Sequence, residues 1–343
     1  INNKTNMNLN DSAASDRINH ALFQSESVSL KLKRPDQTVY SAQLSISDFH
    51  LNPVLFHDIY TVDGKKVGYF VFNSFVSVSP DAPNGADAKA EIDTVFAKFQ
   101  DAGVDELIVD LRYNGGGAVV TTEFLDNLIA PASTVGKEMY NYEYNDQVTS
   151  LFKNNDNLKN LITPVKFESV GHNLDLKRVF FVTSGGTASA AELTINNLKP
   201  YMDVEIVGDT TYGKPVGFFT IPISFVTEDK GYQHVADMYS INFKSINSNG
   251  ISDYFEGMIP NVLYHDYVDV RWGRNDPILG SIFSKIKTGN YISENDFLNQ
   301  PNARKAGSGV RSYLRKSRRA KLKTPHQFNG MVDFERSRLL ENF

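Results

Sequence analysis

Alternating apolar and polar positions predict a small β-rich module at the start of the chain. Apolar residues alternate with polar ones over 28–46, on both sides of a turn at Pro35, as in a β-hairpin. The segment 11–23 before it has the pattern of a short helix. Asn52-Pro53 follows and indicates a linker. We therefore place a domain boundary near residue 50.

From residue 66 the pattern changes to strands that alternate with helices. A strand is predicted at 66–75, and apolar residues at i, i+3, i+4 and i+7 predict a helix at 87–100. The later elements are strands at 106–111, 179–183 and 204–209 and helices at 120–129 and 189–198. A glycine-rich turn joins each of the first two strands to its helix. This order predicts an α/β fold with a parallel sheet built from βαβ units.

The pattern weakens towards the C-terminus. Strands are predicted at 217–225 and 239–246 and a helix at 278–287, but little regular pattern follows residue 290. We therefore expect a second domain at 51–295 and an extension at 296–343.

The extension carries a basic run. Residues 303–323 hold nine Lys and Arg residues and no acidic residue. Such a run can bind nucleic acid or anionic lipid. Here it lacks interleaved aromatic residues apart from Tyr313, so we expect a solvated tail and no nucleic-acid partner.

Composition narrows the class of protein. Hydrophobic residues make up 41% and charged residues 22% of the chain, which is typical of a water-soluble globular protein. No apolar run approaches the roughly 18 residues of a membrane span. The absence of cysteine excludes disulfides and a thiolate nucleophile. Because the chain begins at Ile1, we expect that it was processed or truncated upstream.

Ser189 is the first candidate for chemistry. It lies in Thr187-Ala188-Ser189-Ala190-Ala191-Glu192 at a predicted helix start, where its hydroxyl can be exposed beside the N–H of Ala190. The alternative is an N-cap serine that forms a capping box with Glu192.

Lys214 is the second candidate. It lies in Gly208-Asp209-Thr210-Thr211-Tyr212-Gly213-Lys214, 25 residues after Ser189, a spacing of one βα unit that returns the chain beside the serine. A lysine in a desolvated site can be neutral and act as a base. The alternative is a surface lysine beside a turn glycine, and the pair together carries more weight than either residue alone.

Three ordered motifs resemble those of the C-terminal-processing (tail-specific) proteases, relatives of the tricorn core. They lie at 107–117, which matches D-L-R-x-N-x-G-G, at 187–192 and at 208–214. Gly257-Met258-Ile259-Pro260 is similar to a further G-I-x-P element of that family. The resemblance covers residues 54–290.

The resemblance implies a ClpP/crotonase-like core and a serine endopeptidase mechanism. By position, Ser189 would be the nucleophile and Lys214 the general base, and no metal or cofactor would be required. The oxyanion would bind the N–H of Ala190 and of the Gly115/Gly116 turn, and Glu192 would support the helix start. The chain departs from the family at Ala191, which replaces a second serine, and at Phe218, where some relatives have a glutamine that orients the lysine.

The resemblance also suggests the surroundings of the catalytic domain. Residues 1–50 resemble the C-terminal half of a PDZ-like module without the half that holds the peptide-carboxylate loop, and a plain β cap is the alternative. The expected substrates are proteins or peptides that are unfolded or have a free C-terminus. Similar bacterial members lie in the cell envelope outside the cytoplasm, periplasmic or lipid-anchored.

Other functions stay open on sequence alone. Relatives with this fold include non-catalytic ligand-binding proteins, and a Ser/Lys pair can also serve an amidase or esterase that acts on small molecules. A Ser-His-Asp triad is disfavoured because none of the seven histidines lies in a recognisable motif. His172, before the serine strand, is the histidine to examine.

Overall fold

The computed structural model describes residues 11–34, 37–47, 49–227, 231–266, 271–299 and 330–340 of the 343-residue chain. The chain divides into two compact units: of the described residues, those of 11–50, 271 and 298–299 belong to the first, and those of 51–266, 272–297 and 330–340 to the second. The predicted turn at Pro35 and the basic run at 303–323 lie outside the described residues.

The first unit contains a helix and a hairpin. Helix α1, Ser12–Phe23, begins after Asp11, whose side chain accepts a hydrogen bond from the Ala13 N–H at 3.0 Å. Strand β1, Ser27–Lys33, pairs antiparallel with β2, Val39–Ser45. The predicted helix and hairpin are confirmed. Their assignment to a PDZ-like module stays a prediction.

The second unit holds the remaining elements. Its strands are β3 Val54–Val62, β4 Lys65–Phe72, β5 Glu106–Asp110, β6 Glu138–Glu143, β7 Val165–Lys166, β8 Arg178–Thr183, β9 Asp203–Gly208, β10 Val216–Phe218, β11 Ile221–Thr227, β12 Gly231–Met238, β13 Phe243–Asn247, β14 Val262–Leu263 and β15 Met331–Val332. Its α-helices are α2 Gly85–Asp101, α3 Val119–Ile129, α4 Asp146–Lys153, α5 Ala190–Leu198, α6 Pro277–Thr288, α7 Glu294–Asn299 and α8 Phe334–Leu340, with short 3-10 helices at Ala132–Thr134 and Asp156–Ile162. None of these helices has the length and hydropathy needed to cross a lipid bilayer.

A six-stranded sheet forms the centre of the second unit. Its order is β14-β9-β8-β5-β4-β3, and every neighbouring pair is parallel except β3 and β4. Strands β5 and β8 are buried almost throughout, which explains their continuous apolar sequences. The predicted α/β fold with a parallel sheet is confirmed.

The core lies on both faces of this sheet. Phe70 and Phe72 of β4 belong to the same hydrophobic cluster as Phe99 of α2, whereas Tyr69 and Val71 belong to a second cluster with the apolar residues of α6. This alternation follows from the two-residue period of a strand. The carboxyl ends of β5, β8 and β9 then carry the turns that form the candidate site.

A second sheet, in the order β15-β10-β13-β6-β7, lies in the same unit. The strand predicted at 217–225 is interrupted between β10 and β11, because the Phe219 N–H donates to the Asn242 side chain at 3.0 Å. The strand predicted at 239–246 is observed as β13, which begins only at Phe243.

The C-terminal part differs from the sequence-based expectation of an extension at 296–343. Residues 330–340 of that range form β15 and α8 within the second unit. The pairing of β15 with β10 joins segments distant in the sequence, and a two-residue strand carries no periodic pattern that would predict it.

Candidate active site

Ser189 lies at the turn between β8 and α5 in an unusual backbone conformation. Its φ is +61° and its ψ is −115°, a region that residues other than glycine rarely adopt. The side chain is fully buried, and its Oγ faces the backbone of Glu192 in the arrangement of a capping box but forms no hydrogen bond among the described residues. Strain and an unsatisfied buried hydroxyl at one residue are typical of a functional site.

The serine turn is tied to the turn after β5. The Thr187 hydroxyl donates to the Leu111 carbonyl at 2.7 Å, and the Ser184 hydroxyl donates to the Arg112 carbonyl at 2.5 Å. The Ala188 N–H donates to the Asn114 carbonyl at 3.2 Å. These bonds fix Ser189 relative to the glycine turn, residues 114–117.

The glycine turn approaches Ser189 closely. Gly116 has a φ of +102°, and a methyl group built on it would lie 2.9 Å from both the Ala190 nitrogen and the Ser189 Cβ. Only glycine fits such a position without strain. The fully buried Asn114 holds the turn, since its side chain donates to the Phe72 carbonyl and accepts from the Gly116 N–H, both at 2.9 Å.

The predicted oxyanion donors differ in their availability. The N–H groups of Ala190 and Gly115 make no hydrogen bond to any residue in the described ranges. The Gly116 N–H is already donated to Asn114. Of the predicted Gly115/Gly116 pair, the structure therefore leaves the Gly115 N–H available.

Lys214 lies on the turn that follows β9. This turn contacts the serine turn, because the Tyr212 N–H donates to the Thr187 carbonyl at 2.9 Å. The half-buried ammonium of Lys214 lies 5.8 Å from the centre of the Phe218 ring. Burial lowers the pKa of Lys214, against the raising effect of the Glu192 carboxylate. The site thus favours the neutral amine more than bulk water does.

Glu192 connects the serine to the lysine turn. One carboxylate oxygen accepts the N–H groups of Ser189 and Lys214, each at 2.8 Å. The other accepts the Thr211 hydroxyl at 2.5 Å and the Gly213 N–H at 2.7 Å. This fully buried carboxylate thereby has two donors on each oxygen, which offsets the cost of its burial. The bond to Ser189 is the support of the helix start expected from the sequence, whereas nothing in the sequence pattern indicates the bonds to the lysine turn.

The Gly257-Met258-Ile259-Pro260 element braces the lysine turn. The Met258 N–H donates to the Thr211 hydroxyl at 2.7 Å. Methyl groups built on Gly213 and Gly257 would each lie 2.2 Å from a backbone carbonyl of the facing segment. Two glycines therefore allow the backbones to approach at this point.

Arg112 belongs to the D-L-R motif and is buried, and the motif gives no indication of its ion pairs. Its guanidinium forms ion pairs with Asp110 and Asp276, both at 2.6 Å, and with Asp266 at 3.1 Å. Arg112 lies between β5 and the glycine turn, so this cluster fixes the base of the site. Among the described residues no group of three or more acidic or histidine side chains is placed to hold a metal ion.

His172 takes part in a different interaction. Its Nδ1 lies 2.9 Å from an Asp93 carboxylate oxygen on α2, and both side chains are partly exposed. His326 lies outside the described residues. The structure therefore gives no link between His172 and Ser189.

The sequence of the chain is similar to those of known peptidases. The model of peptidase family S41 matches residues 66–256. A carboxyl-terminal-processing protease of Picosynechococcus sp. is 28% identical over 188 residues, which cover 54% of this chain and 38% of that protein. The chain thus spans well under half the length of this curated relative.

One solved structure with a TM-score above 0.5 shows the same fold. A structure from Bacteroides fragilis assigned to the S41 proteases matches with a TM-score of 0.58 and 24% identity, over 79% of this chain and 69% of that one. The photosystem II D1 C-terminal processing protease matches with a TM-score of 0.45 and 19% identity, over 71% and 56% of the two chains.

Proposed function

Because this chain belongs to peptidase family S41, we propose that it is a serine endopeptidase that cleaves protein substrates with Ser189 as nucleophile and Lys214 as general base. The observation that carries the proposal is the shared Glu192 oxygen, which holds the backbones of both residues beside the unpartnered Ser189 hydroxyl. A nucleophile and base on one rigid support are the minimum for acyl transfer.

The proposed reaction has two halves. In the first, the neutral Lys214 amine accepts the Ser189 proton as Oγ attacks the peptide carbonyl carbon. The resulting ammonium then protonates the leaving amine as the C–N bond breaks, which leaves an ester on Ser189. In the second, Lys214 accepts a proton from a water molecule as its oxygen attacks the ester carbonyl carbon. The ammonium then returns the proton to Ser189 Oγ as the bond between Oγ and the acyl carbon breaks, which releases the acid and restores Ser189 and the neutral Lys214.

The oxyanion of each tetrahedral intermediate would be stabilised by backbone N–H groups. We assign this role to Ala190, at the N-terminus of α5, and to Gly115 of the neighbouring glycine turn, because neither N–H group donates to another residue in the described part of the chain. Gly116 has no side chain, and its absence lets the glycine turn approach the serine.

The similarity to a carboxyl-terminal-processing protease supports a proposal for the substrate class. We propose that the substrates are unfolded proteins or proteins with a free C-terminus, and that residues 51–295 form the catalytic domain together with β15 and α8. The PDZ-like assignment of residues 1–50 and the location in the cell envelope remain predictions.

Cleavage of an unfolded protein with a free C-terminus, followed by mass spectrometry, tests the proposal. We expect wild type to cleave the protein and Ser189→Ala, a smaller side chain at the same position, to fold equally well but produce no fragments. Equal cleavage by both proteins would exclude Ser189 as nucleophile. Hydrolysis of small esters without protein cleavage would favour an esterase. Binding of the protein substrate without any hydrolysis would favour a ligand-binding protein.

A further inference from the structure

The C-terminal strand β15 lies between β10, which follows Lys214, and the glycine turn. β15 pairs in parallel with β10, with Gly217 opposite Met331 and Phe218 opposite Val332. On its other side the Val332 N–H donates to the Gly117 carbonyl at 3.0 Å. The buried residues Met331 and Val332 thereby join β10, which follows Lys214, to the glycine turn beside Ser189.

Helix α8 anchors this strand through polar contacts. The Asp333 N–H donates to the Phe218 carbonyl at 3.2 Å, and the Ser337 hydroxyl accepts from the Thr220 N–H at 2.9 Å. The Asp333 carboxylate accepts from the Tyr142 hydroxyl at 3.0 Å. Because these bonds come from the residues that directly follow β15, they restrain the strand from shifting along β10.

Gly330, at the start of the segment, contacts the lysine and its aromatic neighbour. A methyl group built on Gly330 would lie 2.9 Å from Cε1 of Phe218 and 3.1 Å from Nζ of Lys214. Phe218 is almost fully buried, at 4% exposure, so its ring cannot move away freely. Gly330, the Phe218 ring and the Lys214 amine are therefore packed together.

We propose that residues 330–337 are a positioning element for Lys214, in which Gly330 and β15 hold the Phe218 ring against the lysine and fix where its amine lies. The inference rests on the proposed role of Lys214 as general base. Some relatives have a glutamine at the position of Phe218 that orients the lysine. In this chain, packing against the Phe218 ring would orient it instead. The charged group that faces Lys214 from α5 is Glu192, whereas the Asp333 carboxylate of the C-terminal segment is bound to Tyr142.

Gly330→Ala tests the inference, with Gly171→Ala as matched control. A methyl group on Gly171 meets no atom within 4 Å, and neither glycine has a positive φ. We expect Gly330→Ala to lower kcat/KM at pH 7 by about tenfold, since misplacement of a catalytic group by a fraction of an ångström is costly. We also expect the rising limb of its pH profile to move to higher pH, because the displaced amine meets more water. The control should change neither quantity.

A second measurement does not depend on catalysis. NMR of labelled lysine in the Ser189→Ala background gives the titration midpoint of Lys214 directly. We expect Gly330→Ala and Phe218→Leu to raise this midpoint and Gly171→Ala to leave it in place. Phe218→Leu creates space instead of removing it, so it carries the test if Gly330→Ala does not fold.

Two results would overturn the inference. One is a folded Gly330→Ala with the wild-type pH profile and Lys214 titration. The other is a Phe218→Leu variant in which the titration midpoint of Lys214 equals that of the wild type. Full activity of Lys214→Ala would instead contradict the proposed mechanism, and the NMR titration would still report whether the segment positions the amine.

Discussion

The backbone N–H groups of Ser189 and Lys214 donate to the same oxygen of the Glu192 carboxylate, each at 2.8 Å. Residues 25 positions apart in the sequence are thereby held by one atom. The second oxygen is bound by Thr211 and Gly213, so the carboxylate cannot rotate without losing hydrogen bonds. Glu192 acts as a rigid link between the proposed nucleophile and the turn that carries the proposed base.

Glu192→Gln should therefore damage both activity and stability. An amide has one acceptor oxygen, and its NH2 group would face two donors wherever it is placed. Unsatisfied buried donors cost about 1–3 kcal/mol in unfolding free energy, and we expect kcat to fall by more than tenfold through misalignment. Chemical denaturation and steady-state kinetics measure the two effects.

The control for this substitution is Glu91→Gln on the exposed face of α2. It makes the same chemical change and should alter neither stability nor kcat. Wild-type kcat in Glu192→Gln would show that the link does not position the catalytic pair.

The pH dependence of kcat/KM should report the Lys214 amine. Burial lowers its pKa from the ordinary lysine value of 10.5, and the base must be neutral to accept a proton. Activity should therefore rise with pH through a midpoint below 10.5. Lys214→Arg should be inactive across the range because a guanidinium stays protonated.

Lys153→Arg, at an exposed position of α4, is the matched control and should keep the wild-type profile. An active Lys214→Arg, or a rising limb at the same pH in Lys214→Ala, would assign the base to another group.

The stability of the protein should fall as pH rises from 4.5 to about 7 because of Glu123. Burial raises the pKa of Glu123 from 4.5 to about 7, against the lowering effect of its hydrogen bond with Tyr140. The raised value means that the folded state favours the protonated acid. The stability that the protonated Glu123 side chain contributes is thus fully present below pH 4.5 and is lost as pH rises through 7. The loss amounts to about 3 kcal/mol.

Denaturation in urea between pH 4 and pH 8 measures this loss, because the range brackets the pKa values of 4.5 and about 7. Glu123→Gln keeps a neutral side chain at every pH and should flatten the dependence, while Glu91→Gln should not. A Glu123→Gln protein with the wild-type dependence would contradict the assignment.

Much of the fold was predictable because its signals are local. The buried strand β5 and the helix α2 each follow from a continuous or periodic run of apolar residues. Ser189 and Lys214 were found because each lies in a short motif after a predicted strand.

The remaining features depend on contacts between distant segments. The bonds from Glu192 to the lysine turn arise only when β8 and β9 pair, and β15 is recognisable only from its pairing with β10. The donation of the Gly116 N–H to Asn114 is likewise a detail of turn geometry. Glycines in a motif indicate that two backbone segments approach each other closely. They do not indicate which N–H group remains available to bind an oxyanion.

Gly116→Ala should abolish activity by separating the glycine turn from the serine turn. The added methyl group would lie 2.9 Å from the Ala188 carbonyl, the Ala190 nitrogen and the Ser189 Cβ, at a φ of +102°. Backbone must move to relieve these contacts, and we expect kcat/KM to fall by about a hundredfold or more. Gly103→Ala separates this effect from backbone strain, because Gly103 also has a positive φ, +65°, yet a methyl group there meets nothing within 4 Å. It should lose about 1 kcal/mol of stability and keep its activity. A fully active Gly116→Ala would mean that close approach of the two turns is not required, and would remove the Gly115 N–H from the proposed oxyanion site.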